Sequence, residues 1–221
     1  MGSEKHHGDT SSFEVDSQDH SIQKKIKTLR HDETVRIGLL ALATAMGITI
    51  MGLGADVYSV YQRTHVSHDY LLALWPDELN TAPTAVLVAG SAIVVLVNVI
   101  TLVVSKVEFL RSKRLFHSLT SIIAPFIGVV LAVVTVGEFW AINASNTDDT
   151  LLSWTCRWKT VPMGQQPYFG TLCRENWAAV VMAIVVMVLE IGILALGAYQ
   201  WFLERHIVSS VRSRNGSPVM S

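Results

Sequence analysis

Residues 177–203, WAAVVMAIVVMVLEIGILALGAYQWFL, decide the fold. The stretch has no Lys or Arg and a single acid, Glu190, about midway along it. A bilayer's hydrocarbon core of about 30 Å needs roughly 20 apolar residues in a helix, and this stretch is long enough to supply them. Residues 37–61, 84–105 and 118–140 share its character and also lack Lys and Arg. The sequence therefore predicts an all-α integral membrane protein, a four-transmembrane-helix bundle. Half of the 221 residues are hydrophobic. A soluble domain can match that figure, so the concentration of apolar residues into four blocks is what separates the two classes.

The predicted organisation is a tail at 1–36, a membrane domain at 37–203 and a second tail at 204–221, with outer loops at 62–83 and 141–176. The first apolar block follows a long polar tail, so it is expected to act as an uncleaved insertion signal. Of the 17 Lys and Arg residues, six lie in the first tail, four in residues 106–117 and three in the second tail. The other two loops hold only Arg63, Arg157, Lys159 and Arg174. Thirteen against four predicts both termini in the cytoplasm. Trp75, Trp140, Trp154, Trp158 and Trp177 fall on or near the predicted outer face, and Trp201 at the inner end of span four. Indole rings favour the headgroup region, in agreement with that orientation. A plasma-membrane and an endomembrane address fit equally well. The net charge of −1 argues against a nucleic-acid partner.

Cys156 and Cys173 are the only cysteines, and both fall in the second outer loop. A disulfide between them would staple that loop, stabilising it by about 3 kcal/mol in the loop-closure model. Pro162, Gly164, Pro167 and Gly170 favour turns inside the ring. Trp154-Thr-Cys156-Arg-Trp158 alternates large and small side chains and reads as a short strand. Its exposed aromatics suit either a partner or the membrane surface. Asn143-Ala144-Ser145 is a glycosylation sequon close to the end of span three. In the first outer loop His65 and His68, with Asp69 nearby, are two histidines without a third firm ligand, so no metal is expected. Residues 70–75 read as a short interfacial segment ending at Pro76.

Glu190 is costly in a bilayer unless it is neutral, faces the interior or meets a partner. Asn98 is the candidate partner, because each residue lies about 20 Å below the outer end of its span at 1.5 Å per residue. Two readings stay open. Glu190 and Asn98 form an intramembrane polar pair that fixes helix register, or Glu190 exchanges a proton, cation or solute. Ala41 and Ala45, Ala43 and Gly47, and Ala85 and Ala89 are spaced four apart, which suits close helix packing. Pro125 is expected to kink span three.

Residues 1–20 have no apolar period and are expected to lack structure. Ile22, Ile26 and Leu29, set among Lys24, Lys25, Lys27 and Arg30, describe either a basic amphipathic helix on anionic lipid headgroups or a solvated linker.

Four spans, cytoplasmic tails and a larger second outer loop with a Cys pair resemble the tetraspan class, and MARVEL-type proteins in particular. The resemblance covers residues 37–203 and is one of architecture. The Cys-Cys-Gly of tetraspanins is absent, and the first outer loop has no cysteine for a claudin-type signature. MARVEL-like architecture implies membrane organisation, vesicle traffic or adhesion. The expected function is thus a non-enzymatic organiser of membrane domains or partner proteins, with other membrane proteins or its own copies as partners. The alternative is a small transporter, channel or auxiliary subunit using Glu190. No Cys-x-x-Cys, His-Glu-x-x-His or phosphate-binding Gly-rich loop occurs, so no catalytic residue and no cofactor is expected.

Overall fold

A computed structural model describes residues 9–65, 74–76, 78–106, 114–144 and 149–215. Four long helices carry the fold: α1 (Asp9–Thr64), α2 (Ala82–Lys106), α3 (Arg114–Ala144) and, after the short α4 (Leu151–Arg157), α5 (Phe169–Asn215). Each long helix contains a segment apolar and long enough to cross a membrane: His31–Thr64, Ala82–Lys106, Ile122–Ala144 and Phe169–Leu203. They run antiparallel in a closed ring, α1 against α2, α2 against α3, α3 against α5 and α5 against α1; α2 and α5 face each other only across the diagonal.

The ring follows from a seven-residue repeat in every helix. The buried seam of α2 runs through Thr84, Leu87, Ser91, Val94, Asn98, Thr101 and Ser105 in alternating steps of three and four, with Pro83 and Gly90 buried beside it. On α5 the same steps run through Leu172, Asn176, Ala179, Ala183, Val186, Glu190, Ile193, Gly197 and Gln200. A repeat of 3.5 keeps one seam facing the partners and gives the left-handed packing of helix bundles. Glycines let the backbones approach. A Cβ on Gly47 would lie 2.6 Å from Val95 Cγ2, and one on Gly54 would lie 2.6 Å from Val88 Cγ2. These pairs sit seven residues apart on both helices, in antiparallel register. Gly90 likewise takes the Thr135 side chain of α3.

Of the small-residue pairs expected from sequence, Ala43 and Gly47 face the interior, while Ala41, Ala45, Ala85 and Ala89 are exposed. The outside of the bundle is apolar, with Leu42, Leu96, Val103, Phe126, Val134 and Val188 at least half exposed. Helix α3 continues through Pro125, which is buried.

Several boundaries differ from expectation. Helix α1 reaches back to Asp9, through residues expected to lack structure, and the basic stretch forms one helix with the first long apolar segment. Extending an existing helix adds a hydrogen bond per residue without a new nucleation cost, so weakly helical residues can follow a strong span. Helix α5 starts at Phe169, placing Cys173 in a helix rather than in the loop. Residues 154–158 are not a strand. Thr150 caps α4: its hydroxyl accepts from the Ser153 amide at 3.1 Å, and Ser153 Oγ accepts from the Thr150 amide at 2.8 Å. This reciprocal cap nucleates a helix, and Trp154 and Trp158 then stand one turn apart.

A folded cap closes one end of the bundle. Two-residue strands β1 (Leu79–Asn80) and β2 (Asp149–Thr150) pair in parallel, Leu79 with Asp149 and Asn80 with Thr150, joining the two loops. Trp75 is buried here, set edge-on between Tyr61 at 5.1 Å and Phe169 at 5.3 Å. Its indole N–H donates to Thr64 Oγ1 at 3.0 Å. The interfacial position expected for Trp75 is thus replaced by a core one. The rest of that segment, residues 70–73, lies outside the described residues, as do His68 and Asp69. The His65 ring tilts against Tyr61.

Candidate functional site: the buried polar pair and the cap

Asn98 and Glu190 occupy seam positions, Asn98 about two-thirds of the way along α2 and Glu190 about midway along α5. Asn98 Nδ2 donates to Glu190 Oε1 at 2.6 Å, and both residues are essentially without solvent exposure. The second carboxyl oxygen, Oε2, is buried without a hydrogen-bond partner. It points to Gly128 of α3, where a Cβ would stand 2.6 Å away. Gly128 is therefore the residue that makes room for this carboxyl. One side chain from α5 thus reaches both α2 and α3.

The neighbouring hydroxyls are committed locally. Ser91 donates to Val88 O at 2.9 Å, Thr101 to Val97 O at 2.8 Å and Ser105 to Leu102 O at 2.8 Å. Thr84, Ser91, Asn98 and Ser105 recur every seven residues, so successive groups stand about 10 Å apart along α2. That step is far longer than a hydrogen bond. Leu87 and Val94 separate the first three, and Thr101, whose hydroxyl is held by Val97 O, lies between Asn98 and Ser105.

Arg36 belongs by sequence to the charged tail, yet it is only 3% exposed. Counted as a tail charge, it lies four residues before Leu40 and seven before Ala43, in register with the α1 seam. Ser105 and Gln200 are buried at the same end of the bundle.

Cys156 and Cys173 are bonded, with Cα atoms 4.8 Å apart, so the staple joins α4 to α5. Asn143 stands inside α3 with its amide used at both ends. It donates to Phe139 O at 2.8 Å and accepts from Thr150 Oγ1 at 2.5 Å. An amide so engaged ties α3 to β2. Trp154 Nε1 donates to Leu74 O at 3.3 Å, linking the second loop to the first. Trp140 and Trp177 meet at 6.2 Å on adjacent helices, and Arg205 lies over the Trp201 ring at 3.9 Å. Among the described residues no group of three or more His, Cys, Asp or Glu is placed to hold a metal.

Residues 9–218 match a family model described as a domain of unknown function, DUF8762. The chain belongs to this family. The match runs through the long helices and the cap together, so the DUF8762 unit is the whole bundle rather than one segment of it. No curated protein and no solved structure matches the chain.

Proposed function

We propose that this DUF8762 protein spans a membrane four times with both termini in the cytoplasm, and that it is a non-enzymatic organiser whose rigid bundle holds a folded cap outside the membrane. The observation that carries this reading is the closed state of its polar centre. Glu190 is enclosed, one oxygen taken by Asn98 and the other packed on Gly128, while the adjacent hydroxyls donate to their own helices. Such a centre specifies how helices meet and offers no chain of exchanging groups. The inverted surface supports insertion, since large apolar side chains are exposed and the polar ones are inside. The excess of Lys and Arg on the tail side supports the orientation. The helical basic stretch before span one then meets anionic headgroups of the inner leaflet. Its partners are other membrane proteins or further copies, in the plasma membrane or an endomembrane.

The unpartnered Oε2 of Glu190 favours a second reading, a small carrier or channel. Proton and cation flux in proteoliposomes separates the two. The organiser predicts no flux from either wild type or Glu190→Gln. A flux present in wild type and lost in Glu190→Gln overturns it.

A further inference from the structure

Four cations stand at the cap end: Arg63, Arg157, Lys159 and Arg174. Arg157 is taken, its Nη2 lying 3.1 Å from Asp149 Oδ1. Lys159 and Arg174 instead line one cleft of about 620 Å³, between the turn after α4 and the start of α5. Among the described residues no carboxylate lines it. The walls are fixed in place. The Cys156–Cys173 bond sits next to Arg174 and one turn from Lys159, and the Lys159 carbonyl packs on Gly170, where a Cβ would stand 2.9 Å from it.

Below the cations the cleft turns apolar, with Met163 and Phe169 in its wall and half-exposed Trp177 at its lower edge. The face of α5 that carries Arg174 and Trp177 continues through Val181, Val185 and Val188, all exposed. These residues recur in steps of three and four, so they form one strip running down from the cleft. Lys159 and Arg174, the latter also within electrostatic reach of Glu175, stand above an unbroken apolar strip and match an amphiphile with an anionic head. An acidic protein segment would satisfy the cations and leave the strip unused.

We infer that this cleft binds an anionic phospholipid of the leaflet at the cap side, its headgroup on Lys159 and Arg174 and an acyl chain along Val181, Val185 and Val188. The inference rests on the membrane-spanning reading above.

The test uses the full-length protein in nanodiscs of phosphatidylcholine with a minority of phosphatidylglycerol, followed by native mass spectrometry of the lipids it retains. Phosphatidylglycerol should be enriched on the protein over its share in the disc. Enrichment should fall about fivefold for each cation removed in Lys159→Gln and Arg174→Gln, as expected when a basic side chain near an anionic surface contributes about 1 kcal/mol. Arg63→Gln and the charge-conserving pair Lys159→Arg with Arg174→Lys should keep it, and excess inorganic phosphate should leave it in place. Displacement by inorganic phosphate would overturn the lipid in favour of a free anion. Loss of a poly-glutamate peptide, rather than of lipid, in the two Gln variants would overturn it in favour of an acidic protein segment. Equal retention by wild type and the double Gln variant overturns the site while leaving the spanning reading intact. Failure to enter nanodiscs at all overturns both.

Discussion

Asn98 and Glu190 are joined at 2.6 Å although their helices, α2 and α5, are diagonal neighbours rather than adjacent ones. Contacts between adjacent helices set pairwise spacing, whereas a diagonal bond fixes the height of one antiparallel pair against the other. A slip of α2 by one heptad would carry Ser91 or Ser105 to this level, and neither side chain is long enough to replace the amide. The pair therefore selects one register from the several that a seven-residue repeat permits.

A double-mutant cycle on this pair should report coupling. Asn98→Leu and Glu190→Leu should each destabilise the bundle, and the double variant should lose less than their sum. The expected coupling is about 0.6–2 kcal/mol. Unfolding in mixed micelles measures it, and additive losses would show that the 2.6 Å contact contributes nothing to stability.

Gly128→Ala should destabilise by about 1–3 kcal/mol, the usual cost of overpacking. The added methyl would stand 2.6 Å from Glu190 Oε2. Combining it with Glu190→Ala should recover most of its own loss, because the colliding carboxyl is then gone. Gly52→Ala is the control, since nothing lies within 4 Å of its added carbon. Thermal melting of these three variants and of Glu190→Ala alone in one detergent checks the set, and an equal loss at Gly52 would rule out the clash as the cause.

Thr150→Ala should loosen the cap while leaving the bundle formed. The hydroxyl caps α4 and also donates to Asn143, so its removal should cost about 1–2 kcal/mol. Faster amide exchange in residues 151–157, with rates in α2 unchanged, is the expected pattern. Uniformly faster exchange throughout would mean that the cap and the bundle unfold together.

Orientation should depend on the cluster in residues 106–117. Replacing Lys106, Arg111, Lys113 and Arg114 with Gln removes four of the thirteen charges on the tail side. Glycosylation reporters fused to either terminus should be unmodified in the wild type, and a fraction should become modified in the variant. Modified reporters on the wild-type chain would reverse the proposed topology.

Much of this architecture is legible in the chain before any coordinates. The four long helices follow from apolar length, and the Asn98–Glu190 meeting follows from equal depth in two diagonal helices that run in the same direction. The repeat of Thr84, Ser91, Asn98 and Ser105 every seven residues is equally readable in the chain as a polar seam. The cap was less accessible. Five residues with Trp at both ends satisfy a strand's alternation and a helix's single turn alike, and the Thr150–Ser153 cap decides between them. Trp75 resembles an interfacial anchor because its partners, Tyr61 and Phe169, come from distant parts of the chain. Strands of two residues leave no periodic trace. The vacancy that Gly128 creates has meaning only once α3 lies beside α5.

The slot around Trp75 draws its wall from both ends of the sequence: Tyr61 from the first span, Phe169 and Leu172 from the last. Cys173, the second half of the staple, also belongs to the last span. A nascent chain that has delivered only three helices therefore carries an open aromatic slot and an unoxidised Cys156. The cap is thus complete only once the last helix is in place, and the state of Cys156 differs between a three-helix and a four-helix chain.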